Sequence, residues 1–190
     1  FNYNLYGDMS DRVMSVIKKY ANEVEVYSID ECFVDFSNIS DQDLVDRLHL
    51  IRNEVKRQTG IPVSIGIGPN KTLAKLTSHM AKQKQSYNGV CSFWELQNFR
   101  NSLYDIPIDE VWGIGRAWTK KLKLLEVYSV GQFLMMSDSH VRKLMNVNGL
   151  KTKMELLGTY CHQITPTPKA KKNVPKSRLY CNSHNISRLY

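Results

Sequence analysis

Val24-Glu25-Val26-Tyr27-Ser28-Ile29-Asp30-Glu31-Cys32-Phe33-Val34-Asp35-Phe36 is the stretch on which the reading of this chain turns. Val24–Ile29 alternates apolar and polar residues, the period of a half-buried strand. Cys32–Phe36 continues extended after the acidic pair. Two strands meeting at adjacent carboxylates predict a β-hairpin with Asp30 and Glu31 at its bend, and the apolar flanks predict a buried hairpin. Adjacent carboxylates repel one another and are costly to bury. They persist in solvent or beside a cation, and Mg2+ is commonly held by one or two carboxylates plus substrate phosphates. The dipeptide alone reads as an ordinary exposed acidic turn; its apolar setting shifts the balance towards a metal-binding pair. Asp35 reads as structural.

Upstream, Asp8 or Ser10 caps an expected helix whose Val13, Val16, Ile17 and Tyr20 share one face. Downstream, Asp41 opens a second helix with Leu44, Val45, Leu48, Ile51 and Val55 as its apolar stripe, ended by Gly60. Ile61–Ile67 reads as a short strand, and Asn70 caps a third helix running to about Lys82. Asn88-Gly89 signals a turn before a strand at Val90–Phe93. The order α-β-β-α-β-α-β implies an α/β (α+β) sheet with helices packed on one face. From about Asp105 no further strand is expected, and short helices are punctuated by Gly113, Gly115, Gly131, Gly149 and Gly158. The expected divisions are 1–104, 105–165 and a basic tail, 166–190, that follows the breaker Thr165-Pro166-Thr167-Pro168.

The charge changes along the chain. The net charge is −4 over residues 1–60, +5 over 61–125, zero over 126–150 and +7 over 151–190, for +8 in all 190 residues. Early carboxylates suit cation binding and later lysines and arginines suit a polyanion, although charge alone is equally consistent with a solvated basic surface. Nothing resembles an apolar run of about 18 residues, so no membrane span is expected. Cysteines at 32, 91, 161 and 181 form no C-x-x-C pair or zinc pattern, and scattered thiols without a secretory signal suggest a cytoplasmic protein.

Two further motifs bear on function. In Gly66-Ile67-Gly68-Pro69-Asn70-Lys71-Thr72-Leu73-Ala74-Lys75-Leu76, glycines lead a strand into a helix start, where backbone amides approach phosphate. The P-loop pattern is absent. Lys71, Lys75 and Lys82 fall near one face, and spacing alone favours a solvated stripe. In Val111-Trp112-Gly113-Ile114-Gly115-Arg116, followed by Lys120-Lys121-Leu122, an h-G-h-G turn enters a basic helix. Gly113 and Gly115 let amides point outward to a phosphate oxygen, with Arg116, Lys120 and Lys121 beside them, so DNA-backbone contact is the preferred reading over a tightly packed αα-hairpin. Val147-Asn148-Gly149-Leu150 is a candidate second glycine turn.

These motifs together resemble the Y-family DNA polymerases, and their UmuC branch in particular. Tyr27–Glu31 is similar to the S-I-D-E motif. Gly66–Lys82 is similar to the palm segment G-I-x-x-N-K-x-x-A-K that ends in A-K. Asp109–Leu122 is similar to the thumb's V-W-G-I-G-R and K-K-L. Gln83–Asn88, where many members have Pro-x-Gly, fits the UmuC branch. The resemblance runs from about Asn2 to Pro168 and weakens after Lys169.

The resemblance implies a partial catalytic palm over 1–104 and a small all-α thumb with a helix-hairpin-helix over 105–165. It implies that Asp30 and Glu31 bind Mg2+ as catalytic residues, with Glu31 helping to activate the primer 3′-hydroxyl. Lys82, and secondarily Lys75, would contact the incoming nucleotide. Gly113, Gly115, Arg116, Lys120 and Lys121 would hold DNA. Primer–template DNA, deoxynucleoside triphosphates, a UmuD-type dimer and RecA are the implied partners, in translesion synthesis during the SOS response. The family's earlier metal-binding Asp lies on an N-terminal strand not found here, and the start Phe1-Asn2-Tyr3-Asn4 is neither an initiator Met nor a signal peptide. A fragment is therefore expected. The fingers would lie upstream, and the little finger would be absent or truncated, since Ser177–Tyr190 shows neither its strands nor its length. By itself such a fragment would bind DNA without polymerising. The alternatives are a non-catalytic DNA-binding remnant and, fitting the motif order less well, a metal-dependent nuclease.

Overall fold

Helix α1 spans Tyr3–Ile17, in a computed structural model that describes residues 3–21, 23–96, 99–165 and 186–189. It starts upstream of the expected caps, so Asp8 and Ser10 lie within it. Asp8 instead pairs with Arg12 one turn on, at 2.8 Å, an i,i+4 contact that supports a helix interior. Strands β1 (Val24–Val26) and β2 (Cys32–Asp35) are shorter than expected but pair antiparallel, Glu25 opposite Phe33. Helix α2 (Asp41–Thr59) is capped by Ser40, which accepts the Asp43 amide, and closes on Gly60 at φ 75°, where a side chain would be strained. Val13, Val16 and Ile17 of α1 and Leu44, Leu48, Ile51 and Val55 of α2 pack with Val34, Ile65 and Ile67 of the sheet as one buried core.

Strand β3 is limited to Ile65–Gly68. Pro62 has no amide to give a ladder, and the Val63 carbonyl accepts from Arg52 Nε at 3.0 Å instead. Helix α3 (Lys71–Gln83) is capped by Asn70, whose Oδ1 accepts from the Leu73 amide at 3.0 Å. Strand β4 (Val90–Ser92) follows the Asn88-Gly89 turn, both residues with positive φ, and runs parallel to β3.

Helices lie on both faces of the sheet, not one. Ile65 and Ile67 face α1 and α2, whereas a Cβ at Gly66 or Gly68 would fall against the α3 backbone at Ser78 and Ala74. The bare glycines let α3 press onto the opposite face. This choice depends on close approach, which apolar periodicity does not encode.

The helical remainder comprises α4 (Phe99–Ser102), α5 (Arg116–Leu124), α6 (Val130–Met135) and α7 (Asp138–Leu156). Its core, including Ile108, Val111, Ile114, Leu122, Phe133, Val141 and Leu156, is shared with Leu73, Leu76, Met80 and Ala81 of α3. The expected second glycine turn is displaced: α7 kinks at Asn146 (φ 58°, ψ −158°), and Gly149 lies beyond the kink, packed on Met145.

One strand was not expected. β5 (Ile186–Leu189) lies between β2 and β3, antiparallel to both, giving the order β1-β2-β5-β3-β4. A segment late in the chain thus supplies the middle of the sheet. The breaker at Pro166–Pro168 and most of the basic tail lie outside the described residues.

Candidate active site

The acidic turn is short and tightly closed. The Tyr27 and Ser28 amides both donate to the Glu31 carbonyl, at 2.8 and 3.1 Å. Ser28 Oγ donates to Asp30 Oδ1 at 2.5 Å, which holds the aspartate side chain over the bend. The turn is not buried throughout: Ile29 is 51% exposed and Asp30 is exposed, whereas Glu31 is buried with Cys32, Phe33 and Val34 behind it. The two carboxylates therefore differ, one presented to solvent and one drawn towards the sheet. Asp35 stays local, its Oδ1 accepting from the Ser37 amide at 2.7 Å.

Helix α3 faces this turn. Lys75 Nζ lies 3.7 Å from Glu31 Oε2 and 5.4 Å from the centre of the Tyr27 ring. Burial holds the Lys75 ammonium below the usual lysine range, opposed by the charges of Tyr27, Glu110 and Asp30. Lys82 is exposed in the last turn of the same helix, seven residues on, about 10 Å further along the axis. The lysine row is therefore graded rather than uniformly wet: Lys71 buried, Lys75 partly buried, Lys82 exposed.

Beside the turn sits a cluster that spacing did not single out. Fully buried Lys71 pairs with Glu25 Oε1 at 3.4 Å and lies over the rings of Phe33 and Trp112, 5.8 and 5.9 Å from their centres. Glu25 Oε2 accepts from the Thr165 amide at 2.7 Å. Burial pushes the Glu25 carboxyl up to about 7, against the lowering effects of that amide and of Lys71. Trp112 Nε1 donates to Tyr27 Oη at 3.1 Å, tying the glycine-turn lobe to the residue that opens the acidic turn. A fully buried charged residue in strand β1 had one visible signal, Glu25 between two valines.

Gly113 has φ 89° and Gly115 caps α5 in extended geometry with no side chain over the helix start. Gly115, Arg116, Lys120 and Lys123 line an open concavity of about 750 Å3 with Asp109, which pairs with Lys123 at 3.5 Å. Lys121 lies over the Trp118 ring, 4.6 Å from its centre. Only a three-residue 3-10 turn, Ile108–Glu110, directly precedes the glycine turn. No residue of the acidic turn lines this basic concavity.

Among the described residues no group of three or more His, Cys, Asp or Glu side chains is placed to hold a metal. Asp30 and Glu31 offer hard oxygen donors that suit Mg2+ in kind, a pair that waters and phosphates would complete. Cys32, Cys91 and Cys161 are free thiols. No helix among the described residues is long and apolar enough to cross a membrane.

A mixed sheet thus carries a paired-carboxylate turn beside a basic helical lobe. Residues 1–79 match the impB/mucB/samB family. The chain is 38% identical over 181 residues to Protein UmuC of Salmonella typhimurium (strain LT2), covering 94% of this chain and 43% of that protein. Protein ImpB of Salmonella typhimurium is 35% identical over 184 residues, again 94% of this chain and 43% of that protein. A solved DinB family error-prone DNA polymerase from Sulfolobus solfataricus superposes with TM-score 0.66 at 26% identity, over 82% of this chain and 47% of that one. The chain thus spans less than half the length of these two curated relatives.

Proposed function

We propose that this chain is the palm-and-thumb portion, divided near residue 105, of a UmuC-type translesion DNA polymerase. It would support template-directed nucleotide addition opposite damaged bases. The observation that carries this reading is the Asp30–Glu31 turn, closed on the Glu31 carbonyl and faced by Lys75 of α3, in a chain 38% identical to UmuC.

Asp30 and Glu31 would hold Mg2+ through their carboxylate oxygens, and Glu31 would help to activate the primer 3′-hydroxyl. When bound, the ions favour the attacking and leaving oxygens of a phosphoryl transfer. Glu31, rigid against the sheet, fixes the position of its carboxylate. Asp30, held by Ser28, stays open to solvent and substrate. Lys82, with Lys75, would meet the triphosphate of the incoming nucleotide as a point charge. Gly113 and Gly115 would bring α5 close to a DNA phosphate as a helix-hairpin-helix, with Arg116, Lys120 and Lys121 adding sequence-independent attraction. The partners in this reading are primer–template DNA and deoxynucleoside triphosphates, with a UmuD-type dimer and RecA, in the cytoplasm during the SOS response.

The test is a chimera in which this chain replaces the corresponding segment of a UmuC-type polymerase. Primer extension should proceed in Mg2+ and be abolished by Glu31→Ala while DNA binding stays near normal. Extension that survives Glu31→Ala refutes the assignment. Fluorescence anisotropy of the 190-residue chain on duplex DNA should show affinity falling at roughly 0.9 log units per log unit of salt for each phosphate contact. Lys120→Glu/Lys121→Glu should flatten that slope; an unchanged slope removes α5 from the interface.

A further inference from the structure

Glu31 is placed where a carboxylate is expensive. It is 8% exposed, immediately before strand β2, whose first three residues are fully buried. An ionised carboxylate drawn out of water needs a cation or good donors nearby. Asp30 beside it adds like charge. The nearest cation is Lys75, which reaches the turn from α3.

The geometry points to a resident counter-cation: we infer that the Lys75 ammonium neutralises Glu31 when no divalent ion is bound, and yields it when one arrives. This rests on the reading of the acidic turn as a metal-binding pair and adds to it a built-in competitor.

Three features of the contact suit exchange. At 3.7 Å the Lys75–Glu31 approach is an ion pair without a hydrogen bond, so breaking it forfeits charge attraction and no directional bond. The Tyr27 ring, 5.4 Å from the same ammonium, gives the cation a second surface to rest on as it withdraws. The side chain is a flexible four-carbon stem and is 19% exposed, so it has a route to solvent. By contrast, Lys71 one turn earlier is fully buried in its pair with Glu25 and lies over the Phe33 and Trp112 rings. The same helix therefore carries one structural lysine and one exchangeable lysine. Once released, Lys75 lies on the helix face that leads to Lys82, towards the site proposed for the nucleotide phosphates.

Mn2+ binding followed by electron paramagnetic resonance, together with thermal unfolding with and without Mn2+, tests this on the 190-residue chain. Lys75→Met should bind Mn2+ roughly tenfold more tightly than the parent, the factor that about 1.4 kcal/mol of relieved competition supplies. It should also unfold at a lower temperature without metal and regain stability when Mn2+ is added. Because Lys75→Met risks misfolding, the parent is probed as well. Amine acylation read by mass spectrometry should label Lys75 several-fold faster with Mn2+ present than without it. Equal or weaker Mn2+ binding by a folded Lys75→Met, or acylation of Lys75 that Mn2+ leaves unchanged, overturns the counter-cation role. Parent binding that is not reduced by Glu31→Gln refutes instead the metal-site reading beneath it, so the two failures are told apart.

Discussion

The Glu155 carboxylate of α7 caps the N-terminus of α3 by accepting from Thr72, at 3.3 Å from the backbone amide and 2.5 Å from Oγ1. Its other oxygen accepts from the Cys161 and His162 amides at 3.3 and 3.0 Å. Its backbone carbonyl accepts from Asn70 Nδ2 at 2.7 Å. A residue of the helical lobe thus completes the helix that carries Lys71, Lys75 and Lys82. A carboxylate at a helix start also meets the positive end of the helix dipole. Glu155 thus adds a buried polar link to the apolar core that the lysine helix shares with the basic lobe.

Glu155→Ala should therefore destabilise the protein strongly. It removes the acceptor of the buried Thr72 amide and hydroxyl and of the half-buried Cys161 and His162 amides; a buried donor left unsatisfied costs about 1–3 kcal/mol. A loss of at least about 2 kcal/mol in urea-induced unfolding is expected, in a single transition because the core of α3 is shared with the helical lobe. Glu155→Gln should recover part of it, since its carbonyl oxygen still accepts. A change within about 0.5 kcal/mol would show that the network carries little.

Glu25 should impose a falling stability with rising pH. Burial pushes its folded carboxyl up to about 7 from the ordinary 4.5, so the folded state holds an extra proton between those values. Its contribution is complete below about pH 4.5 and is lost as pH rises towards 7, by up to about 3 kcal/mol. Two neighbouring groups matter. Lys71 lies 3.4 Å from Glu25, and His162, held low by burial, acts in the opposite direction around its ordinary 6.5. The difference between the parent and Glu25→Gln isolates the carboxyl. Urea unfolding from pH 5 to 8 should show that difference shifting in favour of Glu25→Gln as pH rises; parallel profiles refute the assignment.

Strand β5 should be required for the sheet rather than decorate it. Its register places Arg188 opposite both Phe33 and Gly66, and Ser187 opposite Val34 and Ile67. Without it, β2 and β3 would each present an unpaired edge across the gap of one strand. Deleting residues 186–190, or introducing Ser187→Pro, should accelerate hydrogen exchange at Cys32–Asp35 and Ile65–Gly68 while α5–α7 stay protected. Unchanged protection in those two strands would show that the sheet closes without β5.

Much of this molecule is written locally. The stripe of Leu44, Leu48, Ile51 and Val55 specifies α2, and Ser40 and Gly60 mark its ends. Asn70 sets the start of α3 because its side chain reaches an amide three residues away. The acidic bend at Asp30–Glu31 and the glycine turn at 113–115 also depend on neighbours in sequence, so motif and spacing expose them. Tertiary structure decided what depends on distant partners. Lys71, Lys75 and Lys82 look alike in a periodic row, yet Glu25 buries the first, Glu31 engages the second and solvent keeps the third. Gly66 and Gly68 permit a helix on the second face, but only the packed chain shows which helix comes. Ile186–Leu189 is four ordinary residues until β2 and β3 stand on either side of it. Burial and pairing of this kind are set by which surfaces meet across long stretches of chain, and no local period records them.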